Sequence, residues 1–139
     1  WNWKSSMAAY LIDTNHASAF MSNMQPVTER IARLAKDGER FYLCMTVVGE
    51  LYFAVYASSR RRHNMIHLER LLEQIAILDF DIAAAEEYGH IKAELKAKGR
   101  PIPGTDAQIA AVARLHGLVV LSSDRHLRYV DKLRVESWL

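Results

Sequence analysis

The chain has 139 residues, of which 50% are hydrophobic and 24% are charged, and its formal net charge is +2. This composition is typical of one globular domain, and no apolar run approaches the roughly 20 residues that a membrane-spanning helix requires. A single cysteine, Cys44, excludes an intramolecular disulfide. It favours a reducing compartment, so we expect the cytoplasm.

The chain opens with WNWKSS before Met7. These six residues lack the apolar core of a signal peptide. We expect residues 1–6 to be a disordered leader, either a cloning remnant or an altered start, and residues 7–139 to form one domain.

The elements in the first half of the domain are predicted from apolar runs and helical spacing. Unbroken apolar runs such as AAYLI are typical of parallel strands buried on both faces. Apolar residues spaced by three and four predict helices, and SSRRR separates two of them into a helical hairpin. In chain order we predict a strand, a helix, a strand and the hairpin over residues 8–12, 26–38, 41–45, and 47–58 with 63–77.

The second half continues the alternation. A short strand within residues 76–81 precedes a helix over 82–98, and a helix over 105–117 precedes a strand over 118–122. Thr105 and Gln108 have the spacing of a capping box. Strands that alternate with helices predict an α/β fold with a central parallel sheet covered by helices on both faces.

Four carboxylates recur at one predicted edge of this sheet. Asp13 ends the first strand, and Glu50 is expected in the first turn of the helix after the second strand. Asp106 opens the helix that leads into the strand at 118–122, and Asp124 follows that strand. Two carboxylates about 4 Å apart repel by roughly 4 kcal/mol at an effective dielectric constant near 20. A hard divalent cation such as Mg²⁺ or Mn²⁺ would relieve that repulsion.

Each acid also has an ordinary structural explanation. Asp13 and Asp124 could cap helices, and Glu50 and Asp106 suit first turns, where a negative charge meets the positive end of the helix dipole. Asp81, before the predicted helix at Ile82, is expected to be a cap of this kind.

Four segments together resemble PIN-domain ribonucleases of the VapC toxin type. They are YLIDTN, VVGELYFAV, the run from AEEYGHIK to RHLRYV, and LRVESWL, and the resemblance covers residues 7–139. It implies a PIN-like α/β fold with a central parallel sheet flanked by helices and a protruding helical hairpin. It also implies an endoribonuclease that depends on Mg²⁺ or Mn²⁺ and uses water to leave a 5′ phosphate and a 3′ hydroxyl.

The resemblance assigns roles to six residues. It implies that the catalytic and metal-binding acids are Asp13, Glu50, Asp106 and Asp124, and that Asn15 and Ser122 position substrate or water. Two positions depart from the family pattern: Thr105 stands where Asn is usual, and Leu127 stands where an aromatic residue is frequent.

Basic residues and histidines near these motifs have two interpretations. The candidate RNA contacts, which could equally form solvated faces, are Arg60, Arg61, Arg62, Lys96, Lys98 and Arg100. For His16 and His126 we favour packing or hydrogen bonding over catalysis, because a metal-activated water needs no histidine base.

The resemblance also implies partners. It predicts a cognate VapB-like antitoxin that wraps the hairpin and blocks the acidic site, and usually a toxin homodimer. The hairpin residues Leu51, Tyr52, Val55 and Tyr56 could line a groove for a partner helix.

Other classes remain as alternatives. A haloacid-dehalogenase-like phosphatase would need a second aspartate at the position of Asn15. A PIN nuclease of RNA processing without an antitoxin, and a non-catalytic PIN module that binds RNA or protein, both stay open. The identity of the RNA is not encoded in these motifs.

Overall fold

The computed structural model describes residues 8–139, so the expected leader at residues 1–6 lies outside the described residues. Within residues 8–139, five strands form one parallel sheet in the order β3-β2-β1-β4-β5. The strands are β1 (Ala9–Ile12), β2 (Arg40–Cys44), β3 (Ala76–Leu78), β4 (Val119–Leu121) and β5 (Val135–Glu136). The predicted α/β fold with a central parallel sheet is confirmed.

Helices connect and flank these strands. They are α1 (Thr14–Met21), α2 (Gln25–Lys36), α3 (Met45–Ala57), α4 (Arg61–Gln74), α5 (Ile82–Ala97) and α6 (Gly104–His116), with a 3-10 helix at Arg125–Tyr129. The predicted hairpin corresponds to α3 and α4, which pack on each other. Among the described helices, none is both long enough and apolar enough to cross a membrane.

The core is centred on the three middle strands. Leu11, Ile12, Leu43, Val120 and Leu121 are fully buried. Because both faces of these strands are covered, every position in them is apolar except Arg40, the exposed first residue of β2, which explains the unbroken runs in the sequence.

The order of the strands creates a crevice. From β1 the chain moves outward to β2 and β3, and later returns to the other side of β1 to form β4 and β5. In open parallel sheets, ligands bind outside the carboxyl ends of the strands where this direction changes. Here that point lies between β1 and β4.

The hairpin differs from prediction at its boundaries. Helix α3 begins at Met45, directly after β2, so Glu50 lies in its second turn and the prediction of a first-turn position is wrong. Helix α4 ends at Gln74, three residues earlier than predicted, because residues 76–78 pair with β2 as a strand.

The capping box predicted for α6 is also wrong. The helix begins at Gly104 with Pro103 as its cap residue, so Thr105 is already inside the helix. Gln108 instead accepts a hydrogen bond from the Thr46 hydroxyl at 2.8 Å, which links α6 to α3. In contrast, the cap predicted at Asp81 is confirmed, since its side chain accepts from the Ala84 N–H at 2.9 Å.

Candidate active site

The carboxyl ends of β1 and β4 are tied together at the crevice. Asp13 follows β1, and its backbone N–H donates to the Leu121 carbonyl at 3.0 Å. Ser122 follows β4. The side chains of Asp13 and Ser122 are both buried, so their polar atoms need partners within the protein.

Two short hydrogen bonds orient the Asp13 carboxylate. Oδ1 accepts from the Thr14 N–H at 2.7 Å, which caps α1, and Oδ2 accepts from the Ser122 hydroxyl at 2.5 Å. The capping and site interpretations of Asp13 are compatible, since each carboxylate oxygen has a second lone pair beside the one that accepts its hydrogen bond. Burial raises the pKa of Asp13, the bonds from Ser122 and Thr14 oppose that rise, and the charge of Asp124 adds to it.

Ser122 connects Asp13 to Asp124. The Ser122 Oγ accepts from the Asp124 backbone N–H at 3.0 Å. Asp124 in turn caps the 3-10 helix, because its Oδ1 accepts from the His126 N–H at 2.9 Å. This chain of hydrogen bonds fixes the second acid relative to the first.

Asp106, Asp124 and His126 converge at the crevice. The His126 Nδ1 lies 3.0 Å from Asp124 Oδ1 and 3.4 Å from Asp106 Oδ2. One possible ligand atom from each of the three residues lies within 4.8 Å of the others. The first turn of α6 thus brings Asp106 to the acid that follows β4.

The environment of Asp106 is strongly anionic. Burial, followed by the hydrogen bond and the charge of Asp124 and by the charge of Asp13, raises the pKa of Asp106 to about 6. The charge of His126 has the opposite effect. A carboxyl group in such surroundings is stabilised in its ionised form by an added cation.

Glu50 reaches the same end of α1 through Thr14. Its Oε1 accepts from the Thr14 hydroxyl at 2.9 Å. Thr14 therefore joins two predicted site acids, because its backbone N–H bonds to Asp13 and its hydroxyl bonds to Glu50.

These residues suit a divalent cation. Carboxylate oxygens are the ligands that Mg²⁺ and Mn²⁺ prefer. Among residues 8–139, the buried Nδ1 of His126 has no hydrogen-bond partner, since its two carboxylate contacts lack hydrogen-bond geometry. A cation between the carboxylates and this nitrogen would satisfy both.

Asn15 and His16 belong to a different contact. The exposed Asn15 accepts through Oδ1 from the His16 Nδ1 at 2.8 Å, and the His16 Nε2 accepts from the Trp138 N–H at 2.9 Å. Accepting at Nε2 requires a neutral ring, and burial lowers the pKa of His16 to about 4. His16 therefore holds the C-terminal segment against α1.

The basic residues fall into two sets. At the end of α5, Lys98 pairs with Asp131, and the Arg100 guanidinium lies 5.0 Å from the ring centre of Tyr129. Because Tyr129 ends the 3-10 helix that carries His126, Arg100 lies beside the element that contributes to the acidic site. Lys96 lies in the last turn of α5.

The second set lies at the start of α4. Arg61 donates to the Tyr56 carbonyl at 3.0 Å, and Arg60 lines a depression with His63 and His67. Arg62 is exposed on the same turn.

Sequence reasoning missed the contacts of Thr14 and His126. Thr14 lies inside the DTN motif, and the polar start of a helix was a usable signal. His126 follows Asp124 by two residues, but its distance to Asp106 depends on how α6 packs against the 3-10 helix.

The chain is similar to known proteins over nearly its whole length. The family described as PIN domain matches residues 10–133. Ribonuclease VapC2 of Haemophilus influenzae is 32% identical over 134 residues, which covers 96% of this chain and 100% of that protein. The tRNA(fMet)-specific endonuclease VapC of Shigella flexneri is 32% identical over 133 residues, which covers 95% of this chain and 99% of that protein.

A solved structure shows the same fold. A chain in the crystal structure of DNA-bound VapBC from Salmonella typhimurium has a TM-score of 0.86 and 28% identity, covering 96% of this chain and 100% of that chain. The family match and the full-length relatives agree with the motifs and with the sheet order. The chain belongs to the PIN-domain family and, within it, to the VapC type.

Proposed function

We propose that this protein is a metal-dependent endoribonuclease and the toxin of a toxin–antitoxin pair, acting in the cytoplasm. The observation that carries the proposal is the convergence of buried Asp13 and Asp106 with Asp124 at the crevice between β1 and β4. The names of the relatives support the activity, since one is a ribonuclease and another is a tRNA-specific endonuclease.

The four acids have different roles in the proposed binding of Mg²⁺ or Mn²⁺. Asp13 and Asp106 are the principal ligands, Asp124 is a second or indirect ligand, and Glu50 is a ligand or orients water. When bound, the ion supplies charge neutralisation at the phosphate and a lowered pKa for a coordinated water. Hydrolysis would leave a 5′ phosphate and a 3′ hydroxyl.

The two positioning residues have different roles. Ser122 is fully buried and its hydroxyl is engaged with Asp13 and Asp124, so it acts on substrate through the orientation of Asp13. Asn15 is exposed, and its amide N–H groups are free to face an RNA phosphate or sugar while its oxygen bonds to His16.

Basic residues would bind the RNA backbone on both sides of the site. We assign Lys96, Lys98 and Arg100 to the strand near the 3-10 helix, and Arg60, Arg61 and Arg62 to a more distant segment. Each phosphate contact that is lost should reduce the salt dependence of binding. Substitution of the three arginines should therefore lower the slope of log affinity against log salt, and an unchanged slope would remove them from the interface.

The proposed protein partner is a VapB-like antitoxin, together with a second copy of the toxin. Phe53, Tyr56 and Ile66 on the hairpin are 74%, 56% and 46% exposed, so these apolar side chains are accessible to a partner helix. Leu51 and Val55 are buried in the core, and their edges form the floor of a shallow groove. The VapBC complex of Salmonella typhimurium supports this kind of pairing. A toxin that is monomeric by light scattering would contradict the homodimer.

Cleavage of RNA by the purified, antitoxin-free protein tests the activity. End-labelled tRNA(fMet), a ribosomal RNA fragment and a messenger RNA are incubated with Mg²⁺, with Mn²⁺ or with EDTA. We expect cleavage that requires metal and that falls at least about a hundredfold in Asp13→Asn, because that variant loses a metal ligand in a buried site. Circular dichroism checks that the variant is folded.

Three results would contradict parts of the proposal. Equal cleavage by Asp13→Asn would reject the acidic site. No cleavage of any RNA by folded protein would favour a non-catalytic PIN module. Cleavage without an antitoxin that binds and inhibits would favour an RNA-processing nuclease.

A further inference from the structure

His126 lies at the acidic site, although the sequence favours packing or hydrogen bonding for it. We propose that His126 is itself a metal ligand, through Nδ1, and that it biases the site toward transition-metal ions over Mg²⁺. The inference rests on the metal site of the proposed function and adds a nitrogen ligand to its carboxylates.

The position of Nδ1 is the first argument. It lies 3.0 Å from an Asp124 oxygen and 3.4 Å from an Asp106 oxygen, so one ion could contact all three residues. The atom is buried and, among the described residues, lacks a hydrogen-bond partner. A buried ring nitrogen without a hydrogen-bond partner is otherwise costly.

Two other contacts restrict the position of the His126 side chain. The His126 backbone N–H donates to Asp124, and the ring makes an edge contact with Tyr129 at 6.1 Å between centroids. This packing orients Nδ1 toward the acids without using it. Metal-binding imidazoles need such support, because the ring must be oriented before the ion arrives.

A role as a plain counter-ion fits less well. Arg114 is the comparison within this protein, because its one guanidinium neutralises two carboxylates. It donates hydrogen bonds to Glu87 at 2.7 Å and to Glu94 at 3.1 Å. The contacts of His126 lack that geometry. An added ion explains the missing hydrogen bonds better than an ion pair does.

A nitrogen ligand changes metal preference. Imidazole binds transition metals such as Co²⁺ more favourably than Mg²⁺, which prefers oxygen ligands. The ratio of Co²⁺ to Mg²⁺ affinity should therefore depend on His126, whereas the carboxylates contribute to both affinities.

Direct metal binding provides the test. Calorimetry with Mg²⁺ and with Co²⁺, plus the visible absorption of bound Co²⁺, is measured for wild type, His126→Phe and His116→Phe. Phenylalanine keeps the ring that contacts Tyr129, and His116 is an exposed histidine at the end of α6 that serves as the matched control. His126→Ala replaces the phenylalanine variant if thermal unfolding shows that it does not fold.

We expect His126→Phe to lose about tenfold or more in Co²⁺ affinity, to change the Co²⁺ spectrum, and to lose less than about threefold in Mg²⁺ affinity. His116→Phe should match wild type for both ions. Equal changes for Co²⁺ and Mg²⁺, or no change for either, would overturn the inference, as would a wild type that binds neither ion.

RNA cleavage by wild type separates this inference from the proposed function. A protein that binds Co²⁺ through His126 but cleaves no RNA would refute the nuclease and leave the ligand in place. A protein that cleaves RNA with metal but shows no dependence of Co²⁺ affinity on His126 would refute only the ligand.

Discussion

Two groups of carboxylates in this protein differ in whether a basic side chain neutralises them. On α5, Glu87 and Glu94 share the guanidinium of Arg114, and the hydrogen bond from Arg114 lowers the pKa of Glu94. At the crevice, no Arg or Lys among residues 8–139 pairs with Asp13, Asp106 or Asp124, and the pKa of Asp106 rises to about 6. The carboxylates that Arg114 neutralises stabilise the fold, whereas the carboxylates without a basic partner are the proposed ligands of a cation.

Replacing one acid from each group gives the largest contrast. Asp106→Asn should lower RNA cleavage at least about a hundredfold, because the site loses a charged metal ligand. Glu94→Gln on α5 should cleave RNA at the wild-type rate, since its partner is Arg114. Cleavage rates in Mg²⁺ check both variants, and comparable losses in the two would break the distinction between the groups.

The pH dependence of stability should reveal the unneutralised group. In metal-free protein the folded pKa of Asp106 is about 6 and its ordinary value is 3.8, so between these values the folded state binds more protons than the unfolded state. The contribution of Asp106 to the free energy of unfolding therefore rises as the pH falls from about 6 toward 4. The slope is at most about 1.4 kcal/mol per pH unit.

Comparison with Asp106→Asn separates the effect of Asp106 on stability from the opposing effect of His16. His16, whose pKa is lowered to about 4, loses stability over the same range as the pH falls. Denaturant unfolding in EDTA is therefore compared between wild type and Asp106→Asn. The free energy of unfolding of wild type should rise relative to that of the variant as the pH falls from about 6 toward 4, and the difference should be constant well above pH 6. A difference that is flat from pH 6.5 to 4 would contradict the raised pKa.

The smallest expected effect concerns Thr14. Thr14→Val removes the hydroxyl that holds Glu50, and a hydrogen bond worth about 1 kcal/mol corresponds to about a fivefold loss in kcat/KM. Thr14→Ser should retain the activity because it keeps the hydroxyl. We also expect Thr14→Val to need more metal for half-maximal cleavage.

Thr28 supplies the matched control for that change. Its hydroxyl is buried and unpartnered within the described residues, so Thr28→Val should leave both cleavage and the metal requirement unchanged. If Thr14→Val also matched wild type at every metal concentration, the link from α1 to Glu50 would have no role in the site.

The alternation of strands and helices could be predicted because its signals are local. The continuous apolar runs of β1, β2 and β4 reflect burial on both faces, and Asp81 and Gly117 mark helix ends through cap geometry. Helix α1 was missed because it has only eight residues, too few to show a clear helical period. Strand β5 was missed because two residues carry too little pattern.

The candidate acids could also be predicted, since each follows or precedes a recognisable element. The hydrogen-bond partners of the site residues could not be predicted from the sequence. Asp13 bonds to Ser122 across 109 positions, Thr14 to Glu50 across 36, and Thr46 to Gln108 across 62. The last of these contacts replaced the capping box that spacing alone suggested.

The sequence by itself therefore determined the α/β class, the sheet-forming runs and the acids carried to one edge, because hydrophobic period and chain order are properties of short segments. Only the tertiary structure decided which acids share a charge environment, that Thr14 holds Glu50, and that His126 meets Asp106 and Asp124. Those facts depend on distances between elements far apart in the chain and on burial, which together set the pKa of Asp106 and leave Nδ1 of His126 facing the carboxylates.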